Sequence, residues 1–142
     1  MNFSNPQEIA DNFIISFYPY FTHRDEKLLN FYSDDAIIMR KNQIKFSRTD
    51  PKMHLTIAFY GKRGTIISVA SYQIFPLQMG EIQGFQILVT GIVNNIQTGK
   101  RTFVQTFILR QIQGRLFIIY DNFQYISTRT LQSFSVPNPM NN

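Results

Sequence analysis

From Lys100 to Tyr125 the chain reads KRTFVQTFILRQIQGRLFIIYDNFQY, with bulky apolar residues alternating at period two on either side of Gln113-Gly114. Side chains of a strand point to opposite faces in turn. Phe103, Gln105, Phe107 and Leu109 therefore share one side of the first run, and Thr102, Val104, Thr106 and Ile108 the other. In the second run Phe117, Ile119, Asp121, Phe123 and Tyr125 oppose Leu116, Ile118, Tyr120, Asn122 and Gln124. A glycine in so short a connector predicts an antiparallel hairpin. Both faces carry large groups, so one is expected to cover a core and the other to meet a second surface.

The first sixty residues follow a helical period instead. Asn5-Pro6-Gln7-Glu8 combines a side-chain cap, proline at the first helical position and an acid in the first turn. Ile9, Phe13, Phe17 and Tyr20, widened by Ala10, Ile14 and Phe21, then form one apolar stripe. Pro19 removes a backbone donor and is expected to kink or break the last turn. A short second helix is predicted over Glu26 to Tyr32, stopped by Ser33-Asp34-Asp35, and a third from Asp50-Pro51 to Gly61. Between them, Ala36 to Met39 and Ile44 to Phe46 predict a small hairpin around Arg40-Lys41-Asn42-Gln43. Thr65 to Phe75 and Gly84 to Asn94 read as long strands joined by Pro76 to Glu81. Helices first and strands last imply an α+β domain, with three N-terminal helices packed on one face of a strongly bent, mostly antiparallel sheet. The domain is expected over residues 1–126, and 127–142 as a polar tail.

Composition narrows the class. At 142 residues the chain fits one domain, and 14 Phe with 7 Tyr suit a half-buried pleated surface. No run reaches the roughly 18 apolar residues of a membrane span, and the N-terminus lacks a basic region followed by an apolar one. The expectation is a soluble, non-secreted protein with no membrane contact. With no cysteine there are no disulfides and no thiol chemistry, and no paired-histidine spacing marks a metal site. Seven of the 14 basic residues (Arg40, Lys41, Lys45, Arg48, Lys52, Lys62, Arg63) fall between positions 40 and 63, against one acid, Asp50. Such a basic patch can attract nucleic acid or an acidic partner, as in an RNA-associated stress-granule-type scaffold, but a solvated loop-and-helix surface is the favoured reading, because the charges are not interleaved with aromatics as strand-stacking sites require.

Three local patterns resemble the nuclear transport factor 2-like family over about residues 6–126. Phe13-Ile14-Ile15-Ser16-Phe17-Tyr18 is similar to its Phe-x-x-x-Tyr-Tyr segment, and Leu28-Leu29-Asn30-Phe31-Tyr32 to its Leu-x-x-Phe-Tyr segment. Arg101 to Leu109, followed by Tyr120-Asp121-Asn122-Phe123-Gln124-Tyr125, resembles the Phe-x-Gln-x-Phe-x-Leu strand and the Asn-Asp-x-Phe-Arg-Tyr ending. The match looks closest to the Ras-GAP SH3-domain-binding proteins and the small mRNA-export cofactor. Gln124 stands where the family usually has Arg, and Arg40-Lys41 where nuclear transport factor 2 carries a Trp-Glu pair whose Glu helps bind Ran-GDP. That charge reversal argues against Ran-GDP as a partner.

The resemblance implies a cone-shaped fold and a non-enzymatic adaptor in nucleocytoplasmic transport or mRNA handling, in the cytoplasm and nucleus, without a cofactor. It implies a homodimer or heterodimer through the open sheet face, with Thr90, Phe103, Gln105 and Phe107 as the expected interface. It also implies capture of Phe-containing peptides, of the FG type in nucleoporins or the FGDF type in adaptor proteins. Phe13, Phe17, Phe31 and Phe123 are the expected peptide-binding residues, with plain core as the competing reading. The same fold hosts dehydratase- or isomerase-like enzymes, for which His23 or His54 with Asp121 is the acid-base candidate. The motif match favours a structural hydrogen bond for Asp121.

Overall fold

A computed structural model of the chain describes residues 5–23, 25–40, 43–44 and 64–126. Helix α1 runs Pro6–His23, and a 3₁₀ turn follows over Glu26–Phe31. Strands β1 Tyr32–Arg40, β2 Gln43–Ile44, β3 Thr65–Met79, β4 Ile82–Asn95, β5 Gly99–Ile112 and β6 Arg115–Tyr125 complete the described elements. They form one sheet in the order β2-β1-β6-β5-β4-β3, antiparallel throughout except where β1 lies parallel to β6. The sheet curls around α1, giving the α+β cone.

The local chemistry explains each element. Asn5 caps α1, its Oδ1 accepting from Gln7 N at 3.0 Å, and Asp25 caps the 3₁₀ turn by accepting from Lys27 N at 2.9 Å. Gln113 and Gly114 have φ of 51° and 78°, the two left-handed positions of a type I′ turn, so β5 and β6 form the expected hairpin on a two-residue loop. At Gly91 a Cβ would lie 2.3 Å from the Ser68 carbonyl oxygen, beside the bulge between Val69 and Ser71, so only glycine fits there.

Four details correct the sequence reading. The short second helix is present but is 3₁₀ over six residues, and Ser33-Asp34-Asp35 is not its stop: that stretch lies inside β1 because Tyr32 is already drawn into the sheet. Pro19 does not end α1: both Pro19 and Ile15, whose carbonyl it leaves unbonded, lie on the exposed side of the helix, where water serves. The long strands extend to Met79 and from Ile82, so Pro76 sits in β3; that strand is the sheet edge, where a missing donor is tolerated. The small hairpin reaches back to Tyr32, with Met39 opposite Ile44. The third predicted helix and the tail lie outside the described residues.

The register settles which face is inward. Gly91, Phe103 and Tyr125 stand in one row, Val89, Gln105 and Phe123 in the next, and Ile87, Phe107 and Asp121 in a third. These rows face α1, whose Ala10, Ile14, Phe17, Tyr18 and Phe21 complete the core. Phe103, Gln105 and Phe107 are fully buried there. They are therefore not a dimer interface; of the four residues expected for that role, Thr90 alone lies on the outer face, opposite Val104.

Candidate aromatic groove and its polar anchor

The inner face of the cone holds a ladder of aromatic rings. Phe13 stacks on Phe17 with centroids 5.3 Å apart, and Phe31 meets Phe17 edge-on at 5.6 Å and Phe13 at 6.3 Å. Phe107 lies under both helical rings, 4.9 Å from each, and Tyr20 meets Phe31 at 5.9 Å. Phe17 is sealed, whereas Phe13, Tyr20, Leu29 and Phe31 are half-buried at the margin of the core. That is an aromatic floor with accessible walls, drawn from α1 and the 3₁₀ turn. The spacing of a helical turn puts Phe13, Phe17 and Tyr20 on one face, and the Asp25 cap turns the chain back so that Phe31 closes on it.

Of the four residues expected for peptide binding, Phe13, Phe17 and Phe31 come together. Phe123 sits deeper, 1% exposed, stacked on Phe103 at 4.9 Å and meeting Phe21 at 5.9 Å. Only Phe13 and Phe31 of the four offer a partly accessible ring. Tyr20 and Leu29 are not among the expected site residues; the available signal was their place three residues after Phe17 and two before Phe31.

Beneath the floor lies a polar cluster. Arg40, 2% exposed, forms a bidentate pair with the fully buried Asp121, with Nη1 to Oδ1 and Nη2 to Oδ2 both 3.1 Å. Oδ2 also accepts from the Tyr32 hydroxyl at 2.6 Å, and Oδ1 from Gln105 Nε2 at 2.8 Å. The Gln105 carbonyl oxygen in turn accepts from the Tyr18 hydroxyl at 2.7 Å. Burial, and next the negative charge of Asp121, push both tyrosine hydroxyls well above their ordinary 10.0. They remain neutral donors. A buried carboxylate is costly unless its lone pairs are used, and each Asp121 oxygen here accepts two bonds.

This cluster corrects one expectation and agrees with another. Arg40 is not part of a basic surface patch, because its guanidinium is spent inside the cone; Lys41, Lys45, Arg48 and Lys52 lie outside the described residues. Asp121 is a structural acceptor, as its motif suggested. His23 is exposed at the end of α1, and His54 lies outside the described residues. Sequence reasoning missed Tyr18, Gln105, Tyr32 and Arg40 as a set. The available signal was Gln105 and Asp121, polar residues in inward positions between Phe103 and Phe107 and between Ile119 and Phe123.

A helix gripped by a curled, mostly antiparallel sheet, with a closed aromatic interior, defines the class of cone-shaped α+β domains. Within that class the chain belongs to the nuclear transport factor 2 (NTF2) domain family, whose model matches residues 9–125. Among solved structures it is similar to the yeast UBP3-associated protein BRE5, at 20% identity and a TM-score of 0.72, over 87% of this chain and 98% of that one. Nuclear transport factor 2 from Cryptosporidium parvum matches at 16% identity and a TM-score of 0.73, over 87% and 96%. A putative ketosteroid isomerase from Shewanella frigidimarina matches at 18% identity and 0.65, over 81% and 94%. A UBP3-associated protein, a nuclear transport factor and a putative isomerase thus share this fold, and at these identities the likeness concerns the fold alone. Comparison with curated protein sequences gives no match. No helix among the described residues is long and apolar enough to cross a membrane.

Proposed function

We propose that this domain is a non-enzymatic protein-interaction adaptor that takes a Phe-containing peptide segment into the groove walled by Phe13, Tyr20 and Phe31. The observation that carries this reading is the contrast between two sites. Asp121, the one inward strand carboxylate among the described residues, is fully buried and saturated by Arg40, Tyr32 and Gln105, which leaves it no free lone pair for proton transfer. Phe13 and Phe31, by contrast, keep accessible ring surface over a rigid aromatic floor, the setting in which a few large apolar contacts dominate affinity.

The outer sheet face supports association with a second copy or a related domain. Thr90, Val104, Thr106 and Ile108 form its centre, between Leu88 and Tyr120. Nuclear transport factor 2 and the deubiquitinase cofactor Bre5, found in complex with Ubp3, share the fold and favour a role in transport or in a regulatory complex of the cytoplasm and nucleus. Titration with a Phe-Gly-repeat peptide and an FGDF-type peptide tests the groove. One of them binds, and Phe31→Ala weakens it by at least about 1 kcal/mol. Wild-type affinity in that variant, with the fold intact by circular dichroism, removes the groove from the account.

A further inference from the structure

Phe17, the sealed ring of the groove floor, and Phe31, one of its walls, are each followed in sequence by a tyrosine, Tyr18 and Tyr32. Both tyrosines turn inward, and both hydroxyls end on the same polar pair. Tyr18 donates to Gln105, Tyr32 donates to Asp121, and Gln105 donates to Asp121. The path from α1, which carries the floor ring, to the end of the 3₁₀ turn, which carries the Phe31 wall, thus runs through three hydrogen bonds of 2.6 to 2.8 Å, shielded from water at every link.

Resting on the groove reading above, we infer that Tyr18, Gln105, Asp121 and Tyr32 are the positioning residues of that groove: a buried hydrogen-bond chain that fixes α1 and the 3₁₀ turn at the separation its aromatic walls need. The chemistry suits the task. Apolar packing alone permits a helix to slide and rotate on a sheet, since many arrangements bury similar area. A hydroxyl to carboxylate bond has a narrow range of length and angle, and leaving either end unpaired in this interior is costly. Gln105 can serve only one way round, its carbonyl toward Tyr18 and its amide toward Asp121, so the chain has a direction that admits no slipped alternative. Arg40 holds Asp121 from the opposite side, leaving the carboxylate no room to follow a shifted tyrosine. Among the described residues the other side-chain hydrogen bond from the sheet to α1, the Tyr72 hydroxyl on Asp11, comes from the edge strand β3 and constrains only one side of the helix.

Tyr18→Phe and Tyr32→Phe each delete one oxygen and leave the rings, so they separate positioning from packing. Two readouts are needed. The first is the NMR ring-current shift of the Phe17 and Phe31 protons in the free protein, which reports the 5.6 Å edge-on contact without any ligand. The second is the affinity for the Phe-bearing peptide. Val93→Ala, a truncation in the buried core at the far end of β4, serves as a control for loss of packing. Each tyrosine variant is expected to move the Phe17 and Phe31 shifts and to weaken the peptide by about fivefold, the size of coupling seen between residues in one network. Val93→Ala should change neither. Unmoved ring shifts in both tyrosine variants, or an equal loss of affinity in Val93→Ala, overturn the inference. If no Phe peptide binds the wild-type chain, the groove reading alone fails, and the ring shifts still decide whether these four residues position the walls.

Discussion

Asp121 is the hub of the polar cluster inside the cone. It is fully buried, it receives four hydrogen bonds from three residues, and Arg40 supplies two of them in the forked geometry that a guanidinium and a carboxylate share. Removing one member of such a pair strands the other charge. Arg40→Met should therefore destabilise the domain by about 3–5 kcal/mol in urea unfolding. A loss below about 1 kcal/mol would mean that the pair is not buried as described. The neighbouring hydroxyls give the same site a signature in alkali. In the folded chain Tyr18 and Tyr32 hold their protons well above 10.0, while in the unfolded chain they titrate near it. Their stabilising share is complete below about pH 10 and drains away as pH climbs beyond it. Alkaline unfolding should thus begin near pH 10, and the double variant Tyr18→Phe with Tyr32→Phe should show a shallower decline there; an identical slope would contradict the assignment.

Elements were legible in the sequence where period and punctuation agreed, and misread where tertiary contacts overrode them. The cap, proline and apolar stripe of α1 gave both its start and its face, and Gln113-Gly114 gave the hairpin that pairs β5 with β6. Ser33-Asp34-Asp35 looked like a helix stop, yet it is strand, because Tyr32 is anchored on Asp121 and pulls the chain into register beside β6. The inward face of β5 was not decidable from alternation, since Phe103 and Phe107 on one side compete with Val104 and Ile108 on the other. Pairing with Val89 and Asp121 settles it. At this scale Gly91 is the sharpest test. Its missing Cβ admits the Ser68 carbonyl and the Phe103 ring, so Gly91→Ala should push β3 from β4 and lower Tm by several degrees, on the order of 2 kcal/mol. An unchanged Tm would show that the bulge beside it relaxes freely.

The whole molecule presents two faces of different character. The inner face is filled: aromatic rings from α1 and the sheet close over the polar cluster, with Phe13, Tyr20 and Phe31 half-buried at the margin of α1 and the 3₁₀ turn. The outer face of β4, β5 and β6 carries Leu88, Val104, Ile108 and Tyr120 interleaved with Thr90, Thr106 and Asn122, all half-buried rather than solvated. Such a face suits a second subunit better than water. Sedimentation should report a dimer for the wild-type chain and a monomer for Thr106→Arg, which sets a charge at the centre of that face; a monomer in both removes the outer face from the account. The groove lies on the opposite side of the sheet, so peptide binding should survive in the monomeric variant.

The most direct test of the central claim is aromatic NMR of the wild-type chain titrated with a Phe-bearing peptide. The account predicts that ring signals of Phe13, Tyr20 and Phe31 shift in step with binding while those of Tyr120, on the outer face, stay where they are. Shifts confined to Tyr120, with Phe13 and Phe31 unmoved, would contradict it.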